Sequence, residues 1–263
     1  MHRPLFSIVT VCYNSERTIG RTLESVAAQT CPDYEYWVID GASTDGTLRI
    51  VEQHAPAFGE RLHVVSEPDR GIYDAFNKGI SRAEGHFIWL VNSDDYLAPD
   101  ALSALRDVAL AHKGQNVVIE GRTCEEKADG TFVLSPLSTP ESRRRRYRRC
   151  LLGITHPSSV FSREVYEEVG LYDEHYYIVG DKDLFVRAMA FGTLFVTLDH
   201  TLTTMSFGGI STRLDHGRWL ADQWYAARKF SRSLCGAIGI FLPIYTMYLR
   251  RRFRGLCHRL CRR

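Results

Sequence analysis

An apolar run, Ile88-Trp89-Leu90-Val91, leads directly into Asn92, Ser93, Asp94, Asp95 and Tyr96. Two adjacent carboxylates at the end of a buried strand repel each other and lose solvation, and both effects raise their pKa values, so the pattern asks for a cation. A divalent ion answers it, because Mg²⁺ and Mn²⁺ take carboxylate oxygens together with phosphate oxygens of a substrate. Without an ion, the same residues cap the helix that Pro99 opens or form a solvated turn. A second constellation, GDKDLFVRA, sets Asp181 and Asp183 two residues apart near a predicted helix start, where a carboxylate also serves as cap or dipole partner. EPDRGIYDAFNKG crowds Asp69, Arg70, Asp74, Asn77 and Lys78 into one loop and helix start; Asp74 and Lys78, four apart, can equally pair on an exposed face.

The elements that must hold these residues alternate between short apolar runs and helical periodicity, the pattern of β-α-β units. FSIVTVC (6–12), EYWVID (35–40), LHVVS (62–66) and HFIWLVN (86–92) read as strands. Between them lie helices with Ile19, Leu23, Val26 and Ala27, with Leu48, Val51 and Ala55, and with Ile72, Phe76 and Ile80 on one face, the first capped by Asn14 or Ser15. A fourth, after Pro99, turns Leu102, Leu105 and Val108 inward. Ligands of open parallel sheets collect beyond the carboxyl ends of the strands, where helix N-termini point into the crevice. Cys12-Tyr13-Asn14, Asp40 with GASTDG, Glu67-Pro68-Asp69-Arg70 and Asn92 to Asp95 follow the four strands in turn, and three of these tips are acidic. Beyond them NVVIEG and TFVLS suggest antiparallel or edge strands, RRRRYRR (143–149) is a charge run with no apolar face, and helices near SREVYEEVG and from Asp183 to Phe191 precede the strand TLFVTL (193–198).

A chain of 263 residues, 44% hydrophobic and 24% charged, has the make-up of one globular α/β domain rather than a disordered segment. Its seven cysteines are scattered, with no C-x-x-C pair and no histidines at zinc-ligand spacing, which fits a reducing cytosol. The N-terminus has no charged segment followed by a long apolar run, so no export signal is expected. The net charge of +2 hides an asymmetry: ten Lys or Arg and no acid follow Asp222, leaving 23 basic and 31 acidic groups, or −8, in residues 1–222.

SIVTVCYN, VIDGASTDGT, EPDRGIYDAFNKGI, WLVNSDDYL and GDKDLFVRA, in that order across about residues 6–190, together resemble a family 2 glycosyltransferase of the GT-A fold, a group of inverting enzymes that use nucleotide sugars. The resemblance implies an α/β, Rossmann-like three-layer sandwich with a mostly parallel central sheet. It implies that Tyr13 and the backbone around Val11 flank the nucleobase and that Asp40 hydrogen-bonds the base or ribose of a UDP- or GDP-sugar. Asp69, Arg70, Asn77 and Lys78 would contact sugar or nucleotide. Asp94, helped by Asp95, would bind the divalent metal, Mn²⁺ or Mg²⁺, that bridges the diphosphate. Asn92 stands where the family's D-x-D motif has its first aspartate, and its neutral oxygen would reach the ribose or a metal-bound water. Asp181 would be the general base, while Gly180 stands where a glutamate is usual. His156 and Asp183 are further possible contacts for acceptor or diphosphate, and FGGIS (207–211) suits a loop closing over the donor.

These readings divide the chain into a catalytic domain, residues 1–213, and a helical, basic extension, residues 214–263. In the extension LCGAIGIFLPIYTMYL (234–249) is sixteen uncharged residues broken by Pro243 and followed by RRRFR. A spanning helix needs about twenty apolar residues, so the expectation is a membrane-associated tail lying on an anionic surface. RRRRYRR can join that surface or cover an acceptor such as a lipid diphosphate. A nucleic-acid partner is not expected, since no other feature resembles a nucleic-acid motif. The expected activity is transfer of one sugar per encounter to a saccharide or lipid-linked acceptor at the cytoplasmic face of a membrane. A nucleotidyltransferase, which shares the strand-tip carboxylates and metal, and an inactive membrane-peripheral binding protein are the alternatives.

Overall fold

The computed structural model describes residues 3–148, 156–209 and 215–260. Four parallel strands build the first half of the sheet: β1 (Phe6–Cys12), β2 (Tyr34–Asp40), β3 (Leu62–Ser66) and β4 (Phe87–Leu90), in spatial order β3-β2-β1-β4. The helices between them are α1 (Ile19–Ala27), α2 (Thr47–His54) and α3 (Ile72–Arg82). Period-two alternation sends Phe6 and Ile8 to one face and Val9 and Val11 to the other, so both faces of β1 are apolar and buried. Each fully buried aliphatic side chain of this kind contributes roughly 1.5–3 kcal/mol.

The second half is mixed, which corrects the expectation of a mostly parallel sheet. After β5 (Tyr96–Leu97) and α4 (Ala101–Ala111), β6 (Val117–Glu126) and β7 (Phe132–Leu134) form a hairpin through a turn at Gly130. Then come α5 (Pro140–Arg148), β8 (Ser159–Ser162), α6 (Arg163–Val169), α7 (Gly180–Phe191) and β9 (Leu194–Met205). The sheet continues β4-β8-β6-β9-β5, with β8 antiparallel to both its neighbours, β6 parallel to β9 and β5 antiparallel to β9. Two antiparallel steps across β8 restore the direction of β4, so β6 and β9 end at the same rim as the first four strands.

Helices α1, α2 and α4 cover one face through Leu23, Val51 and Leu105, whereas α3, α6 and α7 cover the other through Phe76, Val165 and Phe185. The expected three-layer sandwich is therefore present. α8 (His216–Lys229) lays Trp219 and Ala226 against the second layer. α9 (Leu234–Leu260) runs through Pro243 and meets α8 in the contact of Trp224 with Phe241, 5.4 Å between centroids. Among the described residues no helix is long and apolar enough to cross a membrane. The arginine run is not wholly solvated: Arg143 is buried, its Nε 2.5 Å from Glu120 Oε2 of β6, and this pair ties α5 to the sheet. Arg149 lies outside the described residues.

Candidate active site

A sheet ordered β3-β2-β1-β4 reverses direction of build between β1 and β4, and such a switch point leaves a crevice at the carboxyl ends. β1 pairs with β2 through Cys12 but with β4 only through Val9, so the last three residues of β1, Val11 among them, border that crevice. The tips on either side are tied by Ser15 Oγ and Ser93 Oγ, 2.8 Å apart.

On the β1–β2 side, Asn14 (φ 50°) and Ala42 (φ 60°) both occupy left-handed backbone, a costly conformation for alanine that concentrates at functional sites. Asn14 N donates to Ser43 Oγ (2.8 Å) and Thr44 N to Asn14 Oδ1 (2.9 Å). Gly41 lies between the Asp69 carboxylate and the Tyr13 ring, where a Cβ would collide with the carboxylate and touch the ring. Tyr13 is 63% exposed, a large aromatic face turned to solvent at the crevice edge. Asp40 is wholly buried, and its oxygens accept from Cys12 Sγ, from Ser43 N and Oγ and from Ser66 Oγ. Four donors fill the four acceptor positions of a carboxylate, so Asp40 shapes the turn. Burial, then the charge of Asp40, pushes the Cys12 thiol far up, keeping it protonated.

The segment before α3 separates in the same way. Asp69 Oδ1 accepts from Gly71 N (2.9 Å), and its other oxygen faces Gly41. Arg70 keeps its guanidinium at the surface while reaching Asp74 (3.1 Å) and Glu174 (2.6 Å). Lys78 donates to Pro68 O (2.7 Å) beside Asp74, and Asn77 exchanges hydrogen bonds with the backbone of Tyr172 (2.9 and 3.0 Å). These polar groups hold this loop and the Tyr172 segment.

Asp94 and Asp95 stand at the end of β4. Asp95 is buried, its oxygens accepting from Asn92 Nδ2 (3.1 Å) and Ser206 N (3.2 Å). Burial first, then the neighbouring Asp94, pushes its carboxyl up to about 7, and burial also raises Asp94. Among the described residues neither makes an ion pair; the nearby Arg21 is committed to the Tyr96 ring, 3.9 Å from its centroid, and to Glu126. Gly209 backs so closely on Asp94 that a methyl group there would collide with the carboxylate. Ile210 and Ser211 of the FGGIS segment lie outside the described residues. The Asn92 Oδ1 atom is buried without a hydrogen-bond partner among the described residues. An orphaned amide oxygen beside two desolvated carboxylates is a hard-oxygen set that fits Mg²⁺ or Mn²⁺. Among the described residues no three His, Cys, Asp or Glu side chains converge, so remaining ligands would have to come from water or substrate.

The other carboxylate constellation sits in the first turn of α7. Asp181 is the second residue of the helix, half-buried, with Oδ1 accepting from Lys182 N (2.8 Å) and no ion pair among the described residues. Gly180 is explained by packing: a Cβ would lie 2.8–2.9 Å from the Tyr73 ring, so a glutamate has no room. Tyr73 Oη instead accepts from Gly180 N at 2.8 Å. Burial, then the charge of Asp181, holds the Tyr73 hydroxyl well above its ordinary pKa. Sequence reasoning missed Tyr73; the missing glutamate was the signal that something else fills its place.

The two residues expected near acceptor or diphosphate, Asp183 and His156, are both buried. Asp183 is 1% exposed and paired with Arg187 Nε and Lys229 Nζ, each at 2.7 Å. His156 is buried, stacked on Phe76 (5.3 Å) with Nε2 2.8 Å from Tyr172 Oη. Burial lowers its pKa against the pull of Asp181, and a neutral, enclosed imidazole offers no charge to a diphosphate.

Residues 7–170 match the family model described as glycosyl transferase family 2. A PGL/p-HBAD biosynthesis glycosyltransferase of Mycobacterium bovis (strain BCG / Pasteur 1173P2) is 30% identical over 220 residues, 81% of this chain and 82% of the relative. Among solved structures, S. aureus TarS 1-349 in complex with UDP-GlcNAc superposes with a TM-score of 0.69 at 21% identity, over 87% of this chain and 67% of that one. Mannosyltransferase PcManGT from Pyrobaculum calidifontis in complex with GDP-Man and Mn²⁺ gives 0.64 at 19%, over 92% and 69%. This chain thus spans about two thirds of the solved chains, which share its GT-A type fold. It belongs to glycosyl transferase family 2 and is a glycosyltransferase.

Proposed function

We propose that the protein moves a sugar from a nucleoside-diphosphate donor to a hydroxyl of a saccharide or lipid-linked acceptor, with inversion at the anomeric carbon. The observation that carries this reading is the Asp94–Asp95 pair at the switch point, desolvated and, among the described residues, without an ion-pair partner. Solved relatives in complex with UDP-GlcNAc and with GDP-Man and Mn²⁺ support the donor class.

The nucleobase lies against Tyr13 and the end of β1 near Val11, on the turn shaped by Asp40, with Asp69 and Arg70 at its edge. Asp94, supported by Asp95 and the Asn92 oxygen, would hold Mn²⁺ or Mg²⁺. Such an ion, when bound, neutralises charge on the departing diphosphate. Asp181 accepts the proton of the acceptor hydroxyl; the acceptor oxygen bonds to the anomeric carbon as the bond from that carbon to the diphosphate oxygen breaks, and the nucleoside diphosphate leaves with the electron pair. A carboxylate without a paired cation is free to take that proton.

The extension supports a site at the cytoplasmic face of a membrane. Leu234, Ile238 and Leu242, at i, i+4 and i+8 of α9, are 56%, 45% and 53% exposed, while Ala237 and Ile244 are buried. An exposed apolar stripe followed by the arginine cluster matches an interfacial helix on anionic lipid, each basic residue adding about 1 kcal/mol. Deleting residues 234–263 should release the protein from phosphatidylserine-containing liposomes.

Titration with UDP and GDP, with and without Mn²⁺, tests the donor site: metal-dependent binding that Asp94→Ala abolishes is expected. Donor turnover that disappears in Asp181→Asn selects catalysis; turnover at the parent rate would remove Asp181 as base.

A further inference from the structure

The turn before α7 is gripped from outside. The backbone N–H groups of Tyr177, Ile178 and Val179 converge on the Asp222 carboxylate of α8, at 3.0, 2.7 and 3.2 Å to Oδ2. Asp222 is 5% exposed. The next N–H, of Gly180, goes to Tyr73 Oη of α3, and the residue preceding the helix, Val179, gives no side-chain cap. A helix start ordinarily leaves its first N–H groups to its own cap or to water. Here two side chains from other helices take four successive N–H groups running into the helix, the three before it and the first of its own, Asp222 through charge-assisted bonds of the stronger kind.

α8 repeats the contact one turn and two turns on. Tyr225 Oη donates to Asp173 Oδ2 (3.1 Å), and Lys229 Nζ lies 2.7 Å from both Asp173 and Asp183. Residues 222, 225 and 229 share one stripe of a helix. The whole stripe is thus applied to the segment 173–183 that carries Asp181.

We propose that Asp222 is a positioning residue for the sugar transfer: by fixing the backbone of 177–179 it sets where the Asp181 carboxylate stands, and α8 is functionally part of the catalytic domain rather than of the basic tail. The proposal rests on the reading of Asp181 as general base. A base displaced by about 1 Å can cost as much as 10²-fold in rate while leaving a distant donor site intact.

The test is made in the full chain with Asp222→Asn, which keeps the side-chain shape, beside Asp222→Ala and Tyr73→Phe. With the nucleotide sugar that the parent turns over, kcat of Asp222→Asn should fall about 10- to 100-fold. The donor KM and the Mn²⁺-dependent affinity for free nucleotide diphosphate should stay within about twofold of parent, since Asp94 and Tyr13 are untouched. Tyr73→Phe should show the same split, smaller. Amide exchange at 177–180 should quicken in Asp222→Asn and nowhere else. Unchanged exchange there, a parent kcat, or equal losses of kcat and nucleotide affinity would each overturn the proposal. Should Asp222→Ala fail to fold, the isosteric variant and Tyr73→Phe decide. Asp181→Asn separates the two ideas: if it keeps the parent kcat the base reading fails, whereas an inactive Asp181→Asn beside fully active Asp222 variants sinks the positioning role alone.

Discussion

Two groups of carboxylates in this molecule have opposite surroundings. Asp173 and Asp183 share Lys229 at 2.7 Å, and Arg187 completes the cluster. Although burial works against it, Asp173 is held well below the usual carboxylate range by Lys229 and His175. Asp94, Asp95 and Asp181 make no ion pair among the described residues, and Asp95 is pushed up to about 7, by burial and then by Asp94. The first group is neutralised by the fold; the second is left for something that arrives later. In an acidic chain segment, the presence of an internal cation separates structural carboxylates from those available for chemistry, which sequence position alone does not.

Neutralising one carboxylate from each group should give different kinds of damage. The largest effect is expected for Asp181→Asn, a loss of about 10³-fold in transfer rate with an unchanged urea midpoint, since a general base supplies roughly 10²–10⁴-fold. Two residues along, Asp183→Asn should instead destabilise by about 3 kcal/mol in urea unfolding, because it strands Arg187 and Lys229 around a buried neutral group. If Asp183→Asn proved as stable as the parent, the buried cluster would lose its structural meaning. Asp94→Asn should weaken Mn²⁺-dependent nucleotide binding by about 100-fold without moving metal-free binding, as read by calorimetry.

The smallest effect is in pH. Asp95 is an acid whose folded pKa lies above its unfolded value near 4. The unfolded chain therefore ionises first, and the contribution of Asp95 to metal-free stability should be greatest below about pH 4 and be lost as pH rises to about 7, a loss between about pH 4 and 7 that Asp95→Asn should remove. Metal affinity should run the other way, rising about tenfold between pH 6 and 8 as Asp95 ionises.

The first hundred residues were legible because their signals are local. β1 and β3 begin and end where their short apolar runs predicted, and the helices follow their apolar faces. The second half was harder: β5 has two residues and β8 four, too short for a period, and nothing local says that β8 runs antiparallel. The helix cap expected of Asn14 or Ser15 is not made; Thr18 holds that position, and Asn14 serves the turn beyond β2. At the site, the positions of Asp94 and Asp181 could be read from their motifs, but which carboxylates were already satisfied could not. That depended on Lys229 meeting Asp183, on Ser66 meeting Asp40 and on Tyr172 meeting His156, partners far apart in the chain or joined only by folding. The RRRRYRR run had the same weakness, since its first arginine is defined by Glu120.

The strap from Ser206 to Gly209 has a bearing on recombination between relatives. It comes off β9, in the mixed half of the sheet, yet Ser206 N touches Asp95 and Gly209 abuts Asp94 at the end of β4. A hybrid spliced at residue 170, where the family match ends, would lay a foreign strap on this chain's own acidic pair. Keeping the native strap on Asp94 and Asp95 in such a hybrid therefore requires a crossover that returns to the native sequence before residue 206.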